Sequence, residues 1–196
     1  MTQTYIKDGT GTGRLAKVDV NNRLFTNSVS LTEQSWQSEE GRGFNINTGL
    51  ISLTSAAESG LLYLKYTGTT YFNIAALAVG VGLMGGTVTD PTYIKIYRNP
   101  TGGTLISNAV TSGIQNGNRN FGATSTLNGT IYKGAEGATV TGGDVIASFY
   151  QGGSGRLFAG IDFILEPQTS IAISLEPNAS TAGDVYCALI GYEGEA

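Results

Sequence analysis

The chain has 196 residues, 40 % of them apolar, which is enough to bury a sizeable core within one domain and excludes an unfolded polymer. Charged residues make up only 13 %, about half the usual quarter, while 29 glycines are about twice the usual share of roughly 7 %. The net charge of −4, with basic residues scattered, argues against a nucleic-acid partner; the absence of histidine removes the commonest general base, the usual zinc ligand and the histidine of nucleophile triads.

The N-terminal stretch MTQTYIKDGTG lacks an apolar core of the kind a secretory signal needs, and the longest apolar run, residues 74–84, is half the roughly 20 residues of a membrane helix. Synthesis and assembly in a cytosol are therefore expected, with no membrane partner. Residues 1–43 differ in texture from the rest and are read as an N-terminal β-arm. Gly9, Gly11 and Gly13 lack the Gly-Lys-Ser/Thr that a phosphate loop requires and are read as a hairpin turn. AKVDV and RLFTNSV alternate with period two, and Asn21-Asn22 between them suits a tight turn. Residues 35–43, SWQSEEGRG, are polar apart from Trp36 and are read as a linker or loop.

From Phe44 onward strand patterns recur: FNINTGLISLTS, LLYLKYTG, YFNIAALAVGVGL, TYIKIYRN, GTLISNAV, GTIYKG, DVIASFYQG, RLFAGIDFILEP, SIAISLEP and VYCALIGYE. Such short segments, punctuated by Gly, Asn, Asp and Pro, predict an all-β fold, an antiparallel β-sandwich over residues 44–196. Ser55-Ala-Ala-Glu58 matches a capping box, but Gly60 leaves room for a single turn only. GVGLMG at residues 80–85 has dinucleotide-fingerprint spacing, yet Pro91 follows instead of a helix and no acidic residue stands where a ribose would need one, so no cofactor is expected. Residues 113–129 are the longest stretch without a clear strand, and a long loop in a compact domain is usually functional or ordered by a neighbour.

Asp162 is the one acid inside an apolar strand pattern; it is expected to pair with an arginine such as Arg156 or Arg98, a glycosidase role requiring a second carboxylate beside it. No metal or catalytic residue is assigned. Tyr63, Tyr66, Tyr71, Phe72, Tyr93 and Tyr97 are read chiefly as core or cross-strand pairs, with a sugar-binding groove as the alternative. Cys187 is alone, so no intrachain disulfide is possible, and its place in an apolar strand predicts a buried thiol. In the last forty residues Ile171, Ile173 and Leu175 share one face, as do Val185, Cys187 and Leu189, while Tyr186, Ala188, Ile190 and Tyr192 line the other. A strand apolar on both faces must be covered on both.

Several segments together carry a resemblance. IKDGTGTGRLAKVDVNNRLFTNSVS resembles an N-terminal module of tailed-bacteriophage virion proteins. ISLTSAAESGLLYLKYTG, NRNFGATSTL, IYKGAEGATVTGGDV and the two closing strands resemble phage capsid decoration, or cement, proteins. The resemblance implies a jelly-roll-like sandwich that forms homotrimers on the virion surface, is not an enzyme, binds the exterior of the major capsid protein lattice and stabilises the shell. The alternative is a tail or head-fibre module that binds host glycan. Candidate capsid or trimer contacts are Tyr5, Ile6, Arg14, Val18, Arg23, Leu24 and Phe25 on the arm, Trp36 on the linker, and Arg119, Asn120 and Phe121 on the long loop.

Overall fold

A computed structural model describes residues 5–7, 15–17, 32–54, 57–82, 92–177 and 183–194. The chain divides into two compact units, Met1–Thr32 and Glu33–Ala196. In the first, β1 (Tyr5–Lys7) and β2 (Leu15–Lys17) pair antiparallel, with Ile6 opposite Ala16. The segment joining them holds Gly9, Gly11 and Gly13, where a hairpin turn is expected from sequence. The second expected hairpin, around Asn21-Asn22, lies outside the described residues.

The second unit opens with α1 (Glu33–Glu39), a correction to the linker expected there. Seven residues are too few for a helix to persist alone. This one docks on the sheet, burying Gln37, and Glu33 in its first turn complements the positive end of the helix dipole. There follow β3 (Gly43–Asn47), β4 (Ile51–Leu53), β5 (Ser59–Tyr66), β6 (Phe72–Val81) and β7 (Thr92–Arg98). Next comes α2 (Thr104–Ser107), which replaces the strand expected from GTLISNAV. Gly103 precedes it at φ 105°, and a side chain at Gly103 would overlap the Thr139 carbonyl. The chain then forms β8 (Gln115–Asn118), β9 (Gly129–Lys133), β10 (Asp144–Gln151), β11 (Gly155–Leu165), β12 (Ser170–Pro177) and β13 (Gly183–Glu193).

These strands make two antiparallel sheets packed face to face, the sandwich expected from sequence. One has the order β10-β7-β12-β5-β9, the other β11-β6-β13-β3-β8 with β4 also on β13. Three long-range pairs are nested: β5 with β12, β6 with β11, and β7 with β10. The run β5 to β7 thus folds back against the run β10 to β12, with the outer strands of each run in one sheet and the middle strands in the other. The departure is β13, which inserts on the other flank of β6 and joins it to β3.

The closing strands occupy the middle of the two sheets. In β12, Ile171, Ile173 and Leu175 enter the main core beside Leu62, Leu64, Ile94 and Ile96. In β13, Val185, Cys187 and Leu189 enter it from the opposite side with Leu77 and Val79. The outer face of β12 is covered as well: Ala172 packs in a second cluster with Tyr63 and with Leu105 of α2. Close backbone approach carries this second layer, for Gly134 donates its N–H to Leu61 O at 2.8 Å, and a methyl at Gly134 would collide with the Gly60 carbonyl.

Candidate functional site

β8 and the long loop after it are built around alternate asparagines. Asn116, Asn118 and Asn120 fall at period two, and each side chain acts in place of a missing strand partner. Asn116 accepts from Leu127 N at 3.1 Å and donates to Leu127 O at 3.2 Å, the two-way bond of a ladder neighbour. Asn118 donates to Gly41 O at 2.6 Å and to Ser125 Oγ at 2.9 Å, while its Oδ1 accepts from Asn120 N at 2.8 Å. Asn120 in turn accepts from Gly122 N at 2.9 Å and donates to Glu39 O at 2.7 Å. Asx turns of this kind fix a loop without a strand to hold it.

The result is a knuckle clamped to the C-terminal end of α1, with Phe121 at its tip and wholly exposed. Ser38, Glu39, Arg119, Asn120 and Phe121 line a shallow depression of about 360 Å³ beside it. Trp36, also on α1, is 36 % exposed. An exposed ring on a tied-down loop offers apolar contact at low ordering cost, the property of interface anchors.

Of the candidate contacts, the structure therefore brings Arg119, Asn120 and Phe121 against the helix that carries Trp36. Two corrections accompany this: the helix was expected to be a loop, and the supposed strandless stretch contains β8, the edge of the six-stranded sheet. Tyr5 and Ile6 lie on β1; Arg14, Val18, Arg23, Leu24 and Phe25 lie outside the described residues. Sequence reading missed the roles of Asn116 and Asn118. The N-x-N-x-N spacing was the available signal.

Asp162 does not make the expected arginine pair. It is exposed and accepts from Asn73 Nδ2 at 3.1 Å. Arg98 pairs with Asp144 at 2.6 Å, and Arg156 sits over the Tyr186 ring at 6.0 Å. The physical reason is register: β7 lies beside β10, which sets Arg98 opposite Asp144. Asp162 and Glu166 contribute to an open cleft of about 630 Å³ lined also by Ile146, Phe163 and Ile164.

Glu58, whose capping-box partner Ser55 lies outside the described residues, belongs to a polar cluster on the outer face of the five-stranded sheet. Its carboxylate accepts from Lys95 Nζ at 2.9 Å, Tyr97 OH at 2.7 Å and Ser174 Oγ at 2.5 Å. Burial opposes ionisation of Glu58, but the bonds from Ser174, Lys95 and Tyr97 outweigh it and hold the carboxyl below its ordinary range. Glu176 also pairs with Lys95, at 2.5 Å, and with Glu58 it drives the ammonium pKa up. With both carboxylates on one ammonium, the cluster serves as a structural clamp across β12 and β7.

The aromatics divide into local pairs. Tyr63 stacks on Tyr132, its register partner, and Tyr66 on Phe72, both pairs largely buried. Tyr93 meets Tyr150 edge-on at 5.6 Å with both rings exposed, 40 % and 61 %. Cys187 is fully buried, as expected, and burial pushes its thiol pKa far up. Among the described residues no group of three His, Cys, Asp or Glu side chains could hold a metal ion, and no helix is long and apolar enough to cross a membrane. The chain matches no protein-family model, no curated protein and no solved structure.

Proposed function

We propose that this chain is a non-enzymatic decoration, or cement, protein of a bacteriophage head, binding the exterior of the major capsid protein lattice and stabilising the shell. The observation that carries the reading is the clamped knuckle, which presents Phe121 rigidly and fully exposed. A protein bridging several capsid subunits gains avidity from effective concentration and raises the cost of separating them. Self-association, in the form of the homotrimer the resemblance implies, would multiply such contacts. The N-terminal unit supplies a second contact element in this reading.

Co-sedimentation with expanded shells tests it. The wild-type protein is expected to bind, Phe121→Ala to bind at least about tenfold more weakly, as expected for an anchor residue, and deletion of residues 5–30 to abolish binding while leaving the sandwich folded. A deletion variant that binds shells as well as the full chain would remove the arm from the reading, and absence of wild-type binding would sink the reading itself.

The exposed Tyr93–Tyr150 pair favours a second reading, a fibre or tail module that binds host glycan through tyrosine faces. Glycan-array binding lost in Tyr150→Ala would support it. High-copy incorporation over the head would exclude it.

A further inference from the structure

Among the described residues, β11 ends the six-stranded sheet with β6 as its one partner strand, so one edge of its backbone has no ladder. Such edges are normally blunted by short length, lysine or proline. Here the strand runs eleven residues, Gly155–Leu165, and its outward face carries Phe158, 68 % exposed, and Ile164, 61 % exposed. Exposure alternates without a break from Gly155 to Ile164, through the irregularity in its pairing with β6 between Gly160 and Phe163. The inward residues Leu157, Ile161 and Phe163 touch the core yet stay only partly buried.

We infer that the occupant of this edge is the same strand of a second copy, paired antiparallel about a two-fold axis through Ala159. In that register residue numbers across the contact sum to a constant, so Arg156 stands opposite Asp162 and Phe158 opposite Gly160, each twice by symmetry. On the inward face Leu157 meets Ile161, Ala159 meets its own copy and Phe163 meets Gly155. The match is thus electrostatic and steric on the outward face and apolar on the inward one. Gly160 has nothing within 4 Å of the place where a side chain would stand, leaving a gap for the opposing ring.

Neighbouring registers lack this complementarity. A shift by one residue sets outward positions against inward ones, and a shift by two sets Arg156 opposite Gly160 or Ile164. Arg156 and Asp162 both lie on the exposed face, where in the single chain they contact Tyr186 and Asn73; pairing at the edge exchanges these contacts for cross-strand opposite charges, which favour the pair while like charges oppose it. The contact is two-fold and needs no capsid, so it stands or falls apart from the cement reading.

Charge reversal tests it on the full chain in the absence of shells. Sedimentation equilibrium should give the wild-type protein a mass of two chains, or an even multiple if a separate contact is also made. Arg156→Asp alone and Asp162→Arg alone should each raise the dissociation constant about tenfold or more, because each places like charges across both symmetric pairs. The double reversal, R156D/D162R, should restore the wild-type value. Gly160→Lys should block pairing while leaving the melting temperature of the separated chain unchanged. A wild-type monomer at all concentrations, a trimer insensitive to the reversals, or a double reversal as weak as the single ones would each overturn the inference.

Discussion

Thr48 and Cys187 are bonded to each other through both main chain and side chain. Thr48 N donates to Cys187 O at 3.0 Å, and Cys187 N donates to Thr48 Oγ1 at 3.0 Å, with both residues fully buried. Thr48 stands just after β3, where the chain leaves β13 before returning to it as β4. Its hydroxyl supplies the acceptor that a regular strand would have provided. Thr48→Val keeps the shape but leaves the Cys187 N–H unpaired in the core, and should cost about 1–3 kcal/mol in denaturant unfolding. Thr48→Ser should recover much of that loss.

The Cys187 thiol reports the same region. Burial between the two sheets raises its pKa, so a disulfide reagent should fail to label native protein and label it fully in denaturant. Labelling in native buffer should follow the unfolding equilibrium and accelerate in Thr48→Val by about tenfold for each 1.4 kcal/mol lost. Fast labelling of the native wild-type protein would contradict the burial.

Glu58 and Glu193 should give opposite pH dependences. Glu58 has a folded pKa below its ordinary value of 4.5, so its stabilisation is present above that value and disappears as pH falls through the lowered one. Glu193 is raised: burial opposes its charge, and the Tyr66 hydrogen bond at 3.0 Å and the Arg42 charge offset this only in part. Its contribution is fullest below 4.5 and is lost as pH rises through the raised value. Glu58→Gln should therefore lower the melting temperature at about pH 7, and Glu193→Gln should raise it, both differences shrinking in acid. Shifts of the same sign at neutral pH would refute the assignment.

Gly134 tests the close approach under the second layer. Gly134→Ala forces a methyl toward the Gly60 carbonyl and should destabilise by about 1–3 kcal/mol, or roughly 2–4 °C in melting temperature for each kcal/mol. Gly117→Ala, where nothing lies within 4 Å, is the control and should change stability by less than about 0.5 kcal/mol.

The knuckle separates binding from folding. Phe121→Ala should leave stability within about 0.5 kcal/mol of wild type because the ring is fully exposed. Asn118→Ala should loosen the loop, since it removes bonds to Gly41 and Ser125 and the turn to Asn120. Faster amide exchange confined to residues 118–125 would show this; unchanged exchange there would count against the clamp.

Alternation of side chains was enough to read most strands of the sandwich, though not β8 or the helical turn at residues 104–107, and the inward residues of its closing pair. Ile171, Ile173 and Leu175, and Val185, Cys187 and Leu189, fall on the core faces because period two is a local property of extended chain. A lone cysteine in such a pattern is buried for the same reason. Which strands become neighbours is a different matter, since the nested pairs join residues tens of positions apart and depend on the whole chain closing at once. Tertiary contact likewise turned residues 33–39 into a helix, set Arg98 on Asp144 rather than Asp162, and drew Glu58 to Lys95. Each of these depends on a surface that exists only after the sheets have packed. The sequence by itself determined an all-β chain whose last strands need cover on both faces. Only the tertiary structure decided that β12 is covered by the opposite sheet on one face and a second outer layer on the other, and that β11 ends one edge of its sheet.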